Sequence, residues 1–216
     1  MKCMNLIIDV GNTRIKAAVF EKDTLVKSCV FSKPELVKEI LKIVQDYDIS
    51  AAIISSVSTI KDVELEKLDN IVPLLRLNSK TKVPFINTYK TPTTLGVDRI
   101  ANVAQAVSKF KNRNVLVIDA GTCITFDFVN SKQEYSGGAI SLGLKMRYQA
   151  LHDYTSKLPL LEAKPVNYFI GSNTETSIHS GIINGMIHEI NGVIQQFENK
   201  NTDLTIVLTG GDTYFL

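Results

Sequence analysis

The sequence predicts an α/β protein of two lobes built to a similar plan. Three observations carry this. A strand–glycine–strand pattern occurs twice, 110 residues apart (Leu6 against Leu116). Short, nearly all-apolar runs of strand length follow each copy, as in sheets covered on both faces. Segments with helical spacing separate these runs, and strands alternating with helices argue for α/β.

The two copies are Leu6-Ile7-Ile8-Asp9-Val10-Gly11-Asn12-Thr13 and Leu116-Val117-Ile118-Asp119-Ala120-Gly121-Thr122-Cys123. Each is an apolar strand ending in Asp, a small or branched residue, Gly, and a polar residue. Apolar β sequence resumes at Ile15 to Phe20 and at Ile124 to Val129, so each copy reads as a hairpin. Pro34 to Tyr47 has helical spacing through Leu36, Val37, Ile40, Leu41 and Val44. Ala51 to Val57 reads as a strand inside a mixed or parallel sheet. Asp62 to Leu68 reads as a short charged helix, Val72 to Leu77 as a strand, and Arg99 to Phe110 as a helix. After the polar Lys111–Asn114 linker come the second hairpin, helices over Gly143 to Asp153 and Thr174 to Asn199, and a buried strand over Leu204 to Leu208. The expected lobes are residues 1–112 and 113–216.

Composition excludes several classes. The chain of 216 residues carries a formal net charge of +2 with Lys and Arg scattered, so no electrostatic footprint for nucleic acid is present. Cys3, Cys29 and Cys123 form no CxxC pair and no even disulfide set, and read as reduced thiols. The apolar run at the N-terminus is too short for a signal peptide, and no run approaches the roughly 20 apolar residues of a membrane span. A cytoplasmic protein is expected. There is no P-loop and no GxGxxG. His152, His179 and His188 show no metal-ligand spacing and are read as helix-surface residues. No nucleophile elbow supports a Ser-His-Asp hydrolase.

The repeated Asp-x-Gly points instead to phosphate. Glycine lets a turn expose backbone N–H groups, which form an anion site. The adjacent Asp repels phosphate but suits Mg²⁺ or another cation. Thr13 and Thr122 add hydroxyls, and Lys16 adds positive charge. A plain hairpin turn is the rival reading of either copy alone; the repetition weighs against it. Thr209-Gly210-Gly211-Asp212 follows the last strand, and paired glycines permit close approach of a flat ligand such as adenosine.

Tyr89-Lys90-Thr91-Pro92-Thr93-Thr94-Leu95-Gly96-Val97-Asp98-Arg99 is polar and turn-rich and leads into a helix. Asp98 beside Arg99 suits an acceptor site, with Asp98 as the base and Arg99 binding phosphate or carboxylate. Asp98 as a simple helix N-cap fits the spacing equally well.

The set Asp9-Val10-Gly11-Asn12-Thr13, Gly96-Val97-Asp98-Arg99, Asp119-Ala120-Gly121-Thr122, Gly137-Gly138-Ala139-Ile140 and Thr209-Gly210-Gly211 resembles, in order and spacing, the type III pantothenate kinase family across nearly the whole chain. The resemblance implies a two-lobed ribonuclease-H-like (actin-like ATPase) fold, with mixed sheets flanked by helices. It implies ATP-dependent phosphorylation of pantothenate's primary hydroxyl, the first step toward coenzyme A, with Asp98 as proton acceptor. Asp9, Val10, Gly11, Asn12, Thr13, Arg14, Ile15 and Lys16 would line the ATP phosphates, with Asp9 near Mg²⁺. Asp119 would ligate a monovalent cation, K⁺ or NH₄⁺, and Thr122 would contact ATP. Tyr89, Gly96, Val97, Asp98, Arg99 and Thr174 would bind pantothenate, and a helix cap is the rival reading of Thr174. The family is dimeric, with the substrate site near the subunit interface.

Two departures accompany the resemblance. Leu142 stands where the family's GGxIxPG pattern has Pro, which leaves that turn less rigid. Leu216 ends the chain five residues after Gly211, where family members continue with another helix-forming segment. The C-terminus is therefore expected to be incomplete and closure of the adenine pocket is left open. Two other readings stay open from the residues: another kinase of the same superfamily, acting on a sugar or carboxylate, and a non-catalytic nucleotide-binding regulator.

Overall fold

The computed structural model describes residues 4–216; Cys3, one of the three predicted thiols, lies outside the described residues. By contact the chain divides into two compact units. One comprises the chain up to Lys82 with Thr93–Ile100, the other Val83–Pro92 with Ala101–Leu216.

The first unit holds strands β1 (Met4–Val10), β2 (Ile15–Glu21), β3 (Thr24–Phe31), β4 (Ile49–Ser56) and β5 (Leu74–Arg76), with helices α1 (Leu36–Asp46) and α2 (Asp62–Ile71). The sheet order is β3-β2-β1-β4-β5. β1 pairs antiparallel with β2 and parallel with β4, and β4 pairs parallel with β5. β1 alternates: Leu6, Ile8 and Val10 enter the core, whereas Ile7 and Asp9 face away from it. These residues pack with Ile15, Ala17 and Val19 of β2, Leu36, Ile40 and Ile43 of α1, and Leu68 of α2. Each such large aliphatic chain contributes about 1.5–3 kcal/mol on burial. The predicted Val72–Leu77 strand shortens to β5, because Val72 is spent ending α2, its N–H bonded to the Leu68 carbonyl.

The second unit repeats the plan. Strands β6 (Ile86–Asn87), β7 (Asn114–Ala120), β8 (Cys123–Val129), β9 (Glu134–Leu142) and β10 (Leu204–Thr209) form a sheet in the order β10-β7-β8-β9-β6. β7 pairs antiparallel with β8 and parallel with β10, as β1 does with β2 and β4. The predicted echo therefore extends beyond the hairpin to four strands. A central strand flanked by an antiparallel hairpin partner and a parallel crossover strand is the ribonuclease-H-like arrangement, and its duplication makes the fold actin-like.

Helices α3 (Val97–Lys109), α4 (Leu144–Asp153) and α5 (Thr174–Glu198) complete the chain, the first turn of α3 belonging to the first unit. Leu116, Ile118, Ile124 and Phe126 face a core shared with Leu144 and Tyr148 of α4 and with Ile178, Ile182, Ile183, Met186 and Ile190 of α5. The opposite sheet face therefore carries Asp119, Thr125 and Asp127.

Two expectations need correction. β10, predicted to be buried, is an edge strand whose Ile206 and Leu208 are exposed. His179, predicted on a helix surface, is buried at 1% exposure: Tyr148 Oη lies 2.7 Å from its Nδ1. Burial, and then the nearby Lys164 charge, hold its imidazole below the usual histidine range.

Candidate active site

In the first hairpin, Asp9 lies opposite Lys16 across the antiparallel ladder, on the sheet face away from the core. Residues directly opposite share a face, so Asp9 and Lys16 lie on one face of the sheet at the turn end of the hairpin. The turn runs through Gly11–Arg14. Its glycine N–H does not face a ligand, as the motif predicts, but bonds to the Arg14 carbonyl at 3.1 Å. Asn12, Thr13 and Arg14 are exposed at the tip. Val10 and Ile15 are fully buried, so only their backbones can face a ligand.

The second hairpin is tighter, with only Gly121 and Thr122 between β7 and β8. The Gly121 N–H is again used internally, bonding the Cys123 carbonyl at 3.0 Å. Two backbone approaches press on this turn. A Cβ at Gly143 would lie 2.1 Å from the Thr122 carbonyl oxygen, and one at Gly210 would lie 2.2 Å from that of Ala120. Gly210 therefore serves chain-to-chain contact; Gly211, with nothing within 4 Å of its Cβ position, is the open member of the pair. Asp119 receives the Asn102 side-chain amide on Oδ2 at 2.9 Å. Thr125 sits opposite Asp119 in the ladder, and its buried hydroxyl has no protein partner.

Leu142, standing in place of the family's proline, is tied by other means. Arg147 Nε donates to the Leu142 carbonyl at 2.9 Å, and the same guanidinium pairs with Glu189 of α5. Burial pushes the Glu189 carboxyl up, but hydrogen bonds from Ser141 and Arg147, with the guanidinium charge, bring it below the usual range.

Gly96 precedes α3, and its carbonyl accepts the first helical bond, from the Ile100 N–H. Asp98 is therefore inside the first turn rather than the N-cap. Its Oδ1 accepts the Arg99 N–H at 2.9 Å. The carboxylate folds back over Gly96, where a Cβ would stand 2.4 Å from Oδ1. Any larger residue at 96 displaces it. Arg99 is buried, and Val97 is half-buried.

In the second unit, Tyr89 follows β6 and is half-buried. Thr174 is the exposed first residue of α5; the cap predicted for it is Asn173, whose side chain accepts from the Thr176 N–H at 2.9 Å. A groove of about 420 Å³ lies beside Gly211, lined by Leu144, Lys145, Tyr148, Leu161, Asp212 and Phe215. Burial pushes the Asp212 carboxyl up, against the pull of Lys145. Asn102 and Thr125 were not legible as site residues: each is an ordinary polar residue until the fold sets it beside Asp119.

Comparison with known proteins decides the family. The type III pantothenate kinase model matches residues 5–196. The chain belongs to the type III pantothenate kinase family. A type III pantothenate kinase from Christiangramia forsetii is 47% identical over 215 residues, covering 99% of this chain and 88% of the relative. The Flavobacterium psychrophilum enzyme is 43% identical over 214 residues, covering 99% and 89%. Among solved structures, a Baf family protein from Campylobacter jejuni, described as a transcriptional activator, superposes with a TM-score of 0.62 at 20% identity, over 98% of this chain and 85% of that one. The ethanolamine utilization protein EutJ from Carboxydothermus hydrogenoformans superposes at 0.54 with 12% identity, over 98% and 78%. At these identities the superpositions speak for the fold alone.

Proposed function

We propose that this pantothenate kinase works with Asp98 as the base, the two hairpins as the phosphate-binding elements, and Asp119 as the seat of a monovalent cation. The reaction transfers the γ-phosphoryl group of ATP to the primary hydroxyl of pantothenate, forming 4′-phosphopantothenate for coenzyme A biosynthesis. The bond from the γ-phosphorus to the β,γ-bridging oxygen breaks, one to the hydroxyl oxygen forms, and the hydroxyl proton passes to Asp98 Oδ2. The observation that carries the function is the family match over 99% of the chain.

The remaining assignments rest on chemistry. Lys16, Asn12 and Thr13 supply charge and donors to phosphate oxygens from the first hairpin, and Thr122 does so from the second. Tyr89, Gly96, Val97, Arg99 and Thr174 are assigned to pantothenate, Arg99 to its carboxylate. The groove beside Gly211 has a volume in the range that holds a nucleoside.

Metal ions fit the donors present. No group of three His, Cys, Asp or Glu side chains comes together among the described residues. Mg²⁺ suits such a site, because it is commonly held by one or two carboxylates and the substrate's phosphates; Asp9 is the carboxylate assigned to it. For K⁺ or NH₄⁺, the Asp119 carboxylate and the unpartnered Thr125 hydroxyl are oxygen donors on one sheet face. A coupled ADP-release assay is expected to show turnover with pantothenate that rises with K⁺. Asp119→Ala is expected to abolish that rise while leaving a basal rate. A K⁺ response in the variant equal to the parent's places the cation elsewhere, and turnover only with another acceptor refutes the substrate.

A homodimer is supported by the surface of α5. Gly181 and Gly185 floor a groove of about 300 Å³ with Phe169 and His188, and Phe169 and Ile170 are 71% and 84% exposed. Contiguous exposed apolar groups of this kind mark association surfaces. A Cβ at Gly185 meets nothing within 4 Å, so the monomer tolerates bulk there. Gly185→Arg is expected to halve the mass measured by light scattering without lowering Tm; an unchanged dimer refutes this surface. No helix among the described residues is long and apolar enough to cross a membrane, which is compatible with the proposed cytoplasmic location.

A further inference from the structure

We propose that Tyr135, anchored by the buried carboxylate of Asp127, is the positioning residue that sets the ring of Tyr89 for pantothenate. The inference rests on the assignment of Tyr89 to the substrate.

Asp127 and Tyr135 are both wholly buried, and Tyr135 Oη donates to Asp127 Oδ1 at 2.7 Å. A carboxylate is an expensive group to remove from water, and a Phe with an aliphatic partner would fill the same volume without it. What the pair adds is fixed orientation: a phenol held at its tip cannot slide in its slot. Phe85 packs edge-on against the same ring, with centroids 5.8 Å apart.

From this fixed point contacts run to Tyr89 and to Thr88, the residue before it. The Tyr135 carbonyl accepts both the Thr88 N–H at 2.9 Å and the Thr88 hydroxyl at 3.0 Å, pinning the residue just before Tyr89. The Tyr89 N–H is turned onto Asn87 Oδ1 at 3.0 Å. The rings of Tyr89 and Tyr135 stack with an interplanar angle of 21° and centroids 6.3 Å apart. Below the Tyr89 ring lies Gly137, at a φ of +123° that side chains rarely adopt. A Cβ there would lie 3.0 Å from both Cδ2 and Cε2 of Tyr89. Backbone, stacking partner and floor thus all fix the same ring, and two of the three are set by Tyr135.

The test is a cycle of Tyr89→Ala, Tyr135→Phe and the double variant, each measured for kcat, KM for pantothenate, KM for ATP, and Tm. Tyr135→Phe keeps the ring and removes only its tether. It is expected to raise the pantothenate KM about tenfold, because a misplaced binding group weakens the substrate complex. The ATP KM is expected to stay within about twofold of the parent's. Tyr89→Ala is expected to raise the pantothenate KM at least as far, with Tyr135→Phe adding nothing in that background. If Tyr89→Ala leaves the pantothenate KM unchanged, the assignment of Tyr89 fails and takes the inference with it. A Tyr89→Ala effect without a Tyr135→Phe effect, or a Tyr135→Phe variant that loses Tm but keeps both KM values, overturns the inference alone. Should Tyr135→Phe not fold, Thr88→Val, at an exposed residue, removes the hydroxyl contact to the same carbonyl. It is expected to shift the pantothenate KM in the same direction, and no shift overturns the inference.

Discussion

Asp98→Asn is expected to lower kcat by about a thousandfold, the middle of the range for loss of a general base, while ATP binding changes little. The substitution separates the hydrogen bond that Asp98 makes from the proton transfer proposed for it. Asp98 Oδ1 accepts the Arg99 N–H within the first turn of α3. Asparagine keeps that acceptor and nearly the same shape, so the turn and Arg99 stay in place. What it loses is the capacity to take a proton. A structural role alone therefore predicts a nearly active variant, and a base predicts a nearly dead one. The coupled assay gives kcat, and calorimetric titration with ATP checks that the nucleotide still binds. Activity within about tenfold of the parent would transfer the base to another residue.

Gly210→Ala is expected to be strongly destabilising. Its φ of +103° is strained for any residue with a Cβ, and that atom would stand 2.2 Å from the Ala120 carbonyl oxygen. The nearest atoms are all Ala120 backbone, so no flexible side chain is there to yield. A loss of about 3 kcal/mol follows from strain and overlap together. At about 2–4 °C per kcal/mol for a chain of this size, Tm falls by about 10 °C. The neighbouring Gly211→Ala is the control: its φ is not positive, and nothing lies within 4 Å of the added atom. Equal melting temperatures for the two variants would refute the close approach.

Much of the frame was legible because it rests on short-range pattern. Both hairpins announce themselves through apolar strands broken by Gly11 and Gly121, and α1 through its three- and four-residue spacing. Elements with one solvated side or few residues were not. β3 is an edge strand with Leu25, Val26 and Val30 exposed, β6 is two residues long, and β9 is interrupted by Gly137 and Gly138. The start of α3 was misplaced because Gly96 rather than Asp98 caps it, whereas α5 begins at Thr174 as expected, with Asn173 as its cap. In the candidate site, residues carried by the repeated motif or the family resemblance could be named in advance. Asn102, Thr125, Asp127 and Tyr135 could not, since the interest of each lies in a neighbour distant in the chain. The buried His179 escaped for the same reason.

The copied hairpins end differently, and that sets where the molecule can change. Four residues at the first tip leave Asn12, Thr13 and Arg14 in solvent, so a bound triphosphate would be met there by side chains, each replaceable one at a time. The second tip, two residues wedged beneath Gly143 and Gly210, meets its surroundings through main-chain atoms, and almost any bulk added around it disturbs the wedge. Side chains proposed to meet phosphate can therefore be exchanged more freely in the first hairpin than in the second.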